Sequence, residues 1–143
     1  KLEQSDKLEQ FVSKRIRGGL HGPAAANTLF SGLVADMAKW ALRKMTRECY
    51  LEELKSPLFG SRIVLFQHDE SILEIPDNPK YGTQTQAADR QAEIHREAGR
   101  LYCPDCPPDA EPALMKRWYK DAKMVRNDKG ELQAWEPKPQ SAA

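Results

Sequence analysis

The feature that most constrains the fold is the segment 62–76, in which two apolar runs flank the ionisable residues His68, Asp69 and Glu70. Runs rich in Val, Ile, Leu and Phe are typical of strands that are buried on both faces. Only the polar segment 68–71 lies between the runs, so the chain must turn tightly there, although the Asn-Gly or Gly-rich pair of the commonest hairpins is missing. The segment therefore predicts a buried antiparallel β-hairpin with two carboxylates at its tip.

Adjacent carboxylates on a rigid element form a hard-oxygen site of the kind that Mg²⁺ or Mn²⁺ prefers. Asp, Glu and Ser are also ordinary turn residues, and most such pairs in hairpins are solvated. Asp69 and Glu70 by themselves therefore leave a metal site and a solvated turn both open.

Helical patterns lie on both sides of the hairpin. Between 24 and 54 apolar residues recur every three or four positions, which predicts a long amphipathic helix with Pro23 in its first turn. A second amphipathic helix is predicted over 83–102, and the turn-forming segment 127–130 predicts a small C-terminal hairpin. The predicted fold class is α+β, with helices packed on one side of a small antiparallel sheet. The apolar stripe of the first helix is expected to contain Leu29 or Phe30, Leu33, Met37, Trp40 or Ala41, Met45 and Cys49.

The composition is that of a globular domain, with 30% charged and 40% hydrophobic residues in 143. No run approaches the roughly 20 apolar residues of a membrane span, and residues 1–20 contain no apolar leader, so a cytoplasmic protein is expected. The formal net charge of +1 creates no global attraction for nucleic acid. A role in binding nucleic acid must therefore depend on local residues.

The cysteines provide half of a zinc-site pattern. Cys103 and Cys106 have the spacing of one pair of zinc ligands, and His95 precedes them. A structural zinc ion needs four ligands, and a second pair is absent from the sequence. A proline-rich loop with two reduced thiols is the favoured interpretation.

Three segments, taken together, resemble family A DNA polymerases, especially the phage enzymes. Residues 25–39 (AANTLFSGLVADMAK) resemble the helix that follows the fingers, in which the family has Asn, three residues, Gln-Gly, then Ala-Asp and a basic residue. Residues 64–70 (VLFQHDE) resemble motif C, and residues 111–122 (EPALMKRWYKDA) resemble the C-terminal end of the phage-type enzymes. The segments occur in the family's order, and the resemblance covers about residues 15–136.

The resemblance implies that the chain is the C-terminal portion of a polymerase palm. Residues 1–22 would then be a remnant of the connection from the fingers, residues 23–136 the C-terminal half of the palm, and residues 137–143 a disordered tail. The expected setting is the cytoplasm of a bacterial or phage-infected cell.

The resemblance also implies a mechanism in which two Mg²⁺ ions clamp the attacking 3′-oxygen and the phosphate oxygens of a deoxynucleoside triphosphate. Asp69 matches the metal-binding aspartate of motif C, and Glu70 matches the carboxylate that supports the metal site. Asn27 and His68 match residues that contact the primer-template through its minor groove. Ser31, which stands where the family usually has Gln, and Gln67 complete the expected DNA-binding set: Asn27, Ser31, Gln67 and His68.

Two parts of the family pattern are missing from these residues: the motif A segment, whose aspartate shares the metal ions, and the fingers helix that binds the nucleotide phosphates. The rest of the polymerase must therefore come from the same or a second chain, and the isolated chain is predicted to be inactive. The alternative is a non-catalytic palm remnant that binds DNA or a polymerase partner. A metal-dependent nuclease built on Asp69, Glu70 and Glu74 is a weaker possibility, because Glu74 is expected to lie within a strand.

Overall fold

The computed structural model of the chain describes residues 7–137. Two helices and several short strand pairs follow one another in these residues, which confirms the predicted α+β class. Residues 138–143 of the predicted tail lie outside the described range, whereas Pro137 is exposed. The elements are β1 (Leu8–Glu9), β2 (Ile16–Arg17), α1 (Pro23–Tyr50), a 3₁₀ turn (Glu52–Leu54), β3 (Arg62–Gln67), β4 (Glu70–Glu74), α2 (Gln84–Tyr102), β5 (Leu114–Met115) and β6 (Ala134–Trp135).

The apolar stripe predicted for α1 is correct only in the second half of the helix. Ala41, Met45 and Cys49 are fully buried there, together with Leu58 from the following loop. In the first half Leu29 and Phe30 are exposed, by 45% and 68%. The face that is buried in their place carries Thr28, Gly32 and Asp36, because a polar segment packs on it.

This polar segment is the connection 10–15 between the antiparallel strands β1 and β2, a pair that the sequence did not predict. The side chain of Gln10 is buried and donates a hydrogen bond to the carbonyl oxygen of Thr28 (3.1 Å). Arg15 donates to the carbonyl oxygen of Gly32 (3.1 Å) and forms an ion pair with Asp36, which also accepts a hydrogen bond from Ser13. The absence of a side chain at Gly32 allows Gln10 to approach, since a Cβ there would lie 2.0 Å from its Nε2.

Helix α2 begins at a capping box. The hydroxyl of Thr83 accepts a hydrogen bond from the backbone N–H of Gln86, and the side chain of Gln86 accepts one from the N–H of Thr83. This reciprocal pair satisfies N–H groups that the first turn leaves without helical partners. The helix then packs on α1, and the three alanines of the core allow close approach. The buried core residues are Ala41, Met45, Cys49, Leu58, Ala87, Ile94 and Ala98.

An ion-pair network crosses the interface between the two helices. Arg90 donates two hydrogen bonds to Glu48, from Nε to Oε2 (2.8 Å) and from Nη2 to Oε1 (2.6 Å). A third bond runs from its Nη1 to Glu97 (2.8 Å), which also binds Lys44. Ser56 donates to Glu48 (2.7 Å). Burial by itself raises the pKa of Glu48, but the hydrogen bonds and charges of Arg90, Ser56 and Lys44 outweigh burial and lower it.

Strands β3 and β4 form the predicted antiparallel hairpin, but the prediction that both faces are buried is wrong. Val64 and Leu65 are exposed by 50% and 43%, and the strand register shifts between Ile63 and Leu65. Within residues 7–137 no third strand pairs with the hairpin. Apolar side chains near its base, Ile63, Leu73 and Ile75, pack against the core. The outer face stays open because neither helix covers it.

The C-terminal region contains the predicted turn at 127–130, closed by a bridge between Arg126 and Leu132. The short strands around it differ from a simple hairpin, because β5 and β6 pair in parallel. Leu132 is buried, and its backbone N–H donates to the hydroxyl of Thr85 (2.9 Å), so this region is anchored to α2. The rings of Tyr119 and Trp135 meet edge to face with centroids 5.4 Å apart.

Replacing Glu48 with Gln should lower the free energy of unfolding by about 2 kcal/mol at pH 7, because Arg90 keeps a hydrogen-bond partner at position 48 but loses one of its two counter-charges, with only Glu97 remaining. Because folding lowers the pKa of Glu48, its contribution is fully present above its ordinary pKa of 4.5 and is lost as the pH falls through the folded-state pKa. Urea unfolding at pH 7 and near pH 3.5 should show a difference between wild type and Glu48→Gln that shrinks in acid. Glu93→Gln, at a partly exposed carboxylate that also pairs with arginine, should change stability little at either pH. Equal effects of the two variants would contradict the assigned role of Glu48.

Replacing Gly32 with Ala should displace the side chain of Gln10 and lower stability by about 1–2 kcal/mol, because a buried hydrogen bond is lost. In a Gln10→Ala background the same change should be neutral or stabilising, since only the flexible end of Arg15, 3.2 Å from the new Cβ, must then shift slightly and Ala favours a helix over Gly by about 1 kcal/mol. A double-mutant cycle by urea unfolding measures this reversal. Additive effects in the two backgrounds would show that the N-terminal strands do not pack on α1 as described.

Candidate functional site

The hairpin tip places the predicted motif C residues in a shorter turn than expected. Gln67 pairs with Glu70, so only His68 and Asp69 form the loop, and Glu70 and Ser71 belong to β4. His68 has a φ of 55°, in the left-handed region that favours glycine. The turn is therefore made without glycine, because His68 adopts the left-handed conformation that glycine usually provides.

The two carboxylates at the tip have different surroundings. Asp69 is exposed, and in the part of the chain that the structure describes its carboxylate makes no hydrogen bond or ion pair. Glu70 is also exposed, and its Oε1 lies 3.4 Å from the indole Nε1 of Trp118, a long distance for a hydrogen bond. Trp118 belongs to the C-terminal segment that resembles the phage enzymes. Asp69 is therefore the carboxylate that is open to a ligand from solvent.

The residue after the carboxylates is held by α2. Gln91 donates from its side-chain nitrogen to the backbone oxygen of Ser71 (2.6 Å) and to its hydroxyl (2.9 Å). The Nε2 of His95 lies 2.8 Å from the same hydroxyl. Burial lowers the pKa of His95, which favours the neutral ring.

The contact between His95 and Ser71 was not predicted, because the sequence indicated His95 only as an upstream zinc ligand. A signal was available, because Gln91 and His95 are four residues apart and therefore share one face of the helix. Their common partner, Ser71, is distant in sequence, so the spacing alone does not identify it.

The predicted DNA-binding residues on α1 form a separate pair. Asn27 and Ser31 are exposed one turn apart, and the hydroxyl of Ser31 donates to the amide oxygen of Asn27 (3.2 Å). Across residues 7–137 no hydrogen bond or ion pair joins them to His68 or Gln67. Both sets of residues are accessible, but direct contacts do not bring them together.

Within residues 7–137 no other candidate metal ligand forms a group of three with Asp69 and Glu70. Glu74 is at the opposite end of β4, where it pairs with Arg62, so it does not join a nuclease site with Asp69. Cys103 follows α2 directly and Cys106 is exposed in the next turn. In the described part of the chain no three His, Cys, Asp or Glu residues come together around a possible metal position. Asp69 and Glu70 can still contribute two of the oxygen ligands that Mg²⁺ takes.

None of the helices in residues 7–137 is both long and apolar enough to span a bilayer. Comparisons of the chain with models of protein families, with characterised proteins and with solved structures find no match.

The cysteines should differ sharply in reactivity. Burial, followed by the charge of Glu48, raises the pKa of Cys49 to about 11, whereas Cys106 is exposed. Because the thiolate is the reactive form, iodoacetamide at pH 8 should alkylate Cys106 in the folded protein and reach Cys49 only after unfolding. Peptide mass spectrometry with and without urea measures this order. Rapid labelling of Cys49 in the folded state would contradict the packing of Leu58 and α2 over it.

Proposed function

We propose that the chain is part of the palm of a family A DNA-directed DNA polymerase and supplies the motif C carboxylate, Asp69. The strongest support is that the sequence that resembles motif C lies at the tip of the hairpin. The sequence QHDE, which resembles motif C, falls on the tip of an antiparallel hairpin, and its aspartate is exposed and makes no hydrogen bond or ion pair within residues 7–137. A structural turn aspartate would commonly cap or bond nearby backbone N–H groups, whereas this carboxylate remains open.

In this function Asp69 and Glu70 would hold Mg²⁺, which supplies Lewis-acid stabilisation of the phosphoryl oxygens when it is bound. The contribution of the chain itself is geometric: the hairpin presents Asp69 beyond its last paired residues, Gln67 and Glu70. His68, at the same tip, and Asn27 and Ser31, on α1, would contact the primer-template.

The exposed apolar surface supports a requirement for the rest of the polymerase. Val64 and Leu65 on β3 and Phe30 and Val34 on α1 are between 43% and 68% exposed. Apolar residues clustered on exposed faces commonly mark surfaces that another segment covers. A partner segment that carries motif A and the fingers would complete the metal site and cover such surface.

A complementation assay tests the proposal. The chain alone should incorporate negligible nucleotide, whereas the chain together with a polypeptide that carries motif A and the fingers should extend a primer in Mg²⁺. Asp69→Asn should lower kcat at least a thousandfold through loss of metal clamping, with DNA affinity changed less than about threefold. Primer extension and fluorescence anisotropy measure the two quantities. Asp128→Asn, an exposed aspartate in the distant turn, is the matched control and should leave both unchanged.

The outcomes separate the candidate functions. DNA binding by the complemented complex without extension would favour the alternative, a non-catalytic palm remnant. A parallel loss of binding and turnover in Asp69→Asn would indicate that Asp69 is structural. Robust extension by the chain alone would show that the missing carboxylate is not required.

A further inference from the structure

The hairpin that carries Asp69 has little support of its own. It has two strands, and an isolated two-stranded hairpin is at best marginally stable in water. The apolar contacts with the core are made near its base, through Ile63, Leu73 and Ile75, while Val64 and Leu65 are exposed. The strand register also shifts between Ile63 and Leu65. The tip therefore needs support in addition to these apolar contacts at the base.

Gln91 and His95 provide that support through Ser71. Gln91 donates to both the backbone oxygen (2.6 Å) and the hydroxyl (2.9 Å) of Ser71, and His95 contacts the hydroxyl at 2.8 Å. The three groups are partly buried, so these bonds compete with water less than bonds on an open surface do. The bonds therefore attach the beginning of β4 to α2.

Ser71 lies close enough to the loop for its hydrogen bonds to α2 to restrain the hairpin tip. It pairs across the strands with Phe66, and only the pair Gln67 and Glu70 separates this position from the loop. Asp69 is two residues from Ser71, so its Cα lies within about 7 Å along the chain. Restraining Ser71 therefore restrains the backbone on which both carboxylates stand.

We propose that Gln91 and His95 are positioning residues, which hold the carboxylate-bearing tip of the hairpin in place by binding Ser71. The importance of this for catalysis rests on the proposed function, but the attachment itself does not. The three side chains, Ser71, Gln91 and His95, are called the latch below.

Hydrogen exchange tests the latch in the 143-residue chain. In Gln91→Leu, which keeps the size of the side chain but removes its donors, the amides of Gln67 and Glu70 should exchange about tenfold faster. The amide of Met45, in the core of α1, should change less than about twofold, because the loss is local. Ser71→Ala, which keeps the backbone oxygen but removes the hydroxyl, should give a smaller increase at the same amides.

Conservative and matched variants distinguish positioning from general destabilisation. His95→Gln places an amide near the position of Nε2 and should retain most of the protection, whereas His95→Leu should lose it. Gln133→Leu makes the same substitution at an exposed site outside the latch and should have no effect at the tip. Unchanged exchange at Gln67 and Glu70 in Gln91→Leu, or an equal increase at Met45, would overturn the proposal.

A titration with Mn²⁺, followed by paramagnetic broadening of the Asp69 amide signal, separates this proposal from the proposed function. Broadening in the wild type, with a midpoint about threefold higher in Gln91→Leu and unchanged in Gln133→Leu, supports both. If the wild type shows no broadening while exchange responds to the latch variants, metal binding by Asp69 fails and the latch stands. If broadening occurs but the hydrogen exchange rates at the tip are unchanged in the latch variants, the latch proposal is refuted and metal binding by Asp69 is supported.

Discussion

The bidentate pair between Arg90 and Glu48 is the interaction on which the rest of the structure depends. The buried core consists of three alanines and four larger apolar side chains, whose non-directional contacts by themselves tolerate small shifts along the helix axes. A guanidinium group that bonds both oxygens of one carboxylate, with Glu97 as a second partner, permits far fewer arrangements. A buried carboxylate that lost this partner would remain desolvated with only the Ser56 hydrogen bond and the charge of Lys44 to compensate, so the pair favours one register of the two helices.

That register also determines where the hairpin is held. Gln91 follows Arg90 directly, and successive residues point in directions about 100° apart around a helix. While Arg90 binds α1, Gln91 and His95 therefore lie on the side that meets β4. The position of Asp69 thus depends on the helix interface through two sets of contacts. Arg90 of α2 binds Glu48 of α1, and Gln91 and His95 of α2 bind Ser71 of the hairpin. A site built on an otherwise thinly packed hairpin needs this kind of support from a rigid element.

The sequence and the structure support the proposed polymerase function with different observations. The proposal rests on residue order in three separate segments, and the structure adds that Asp69, the proposed motif C aspartate, is exposed at a hairpin tip. The exposed apolar side chains on β3 and in the first half of α1 were predicted to be core, and their exposure is the reason to expect a covering partner. The incorrect burial prediction is therefore useful, because apolar runs of this kind are normally buried, and their exposure here suggests a surface that a partner segment covers.

Local patterns in the sequence were enough to determine both helices, including the position of Pro23 in the first turn of α1, and the position of the central hairpin. These features depend on residues a few positions apart, whose spacing and turn chemistry are directly readable. Only the tertiary structure decided that Thr28, Gly32 and Asp36 are buried while Phe30 is exposed, and that His95 binds Ser71. Those outcomes depend on which distant segment meets each face, and periodicity along the chain contains no record of that choice.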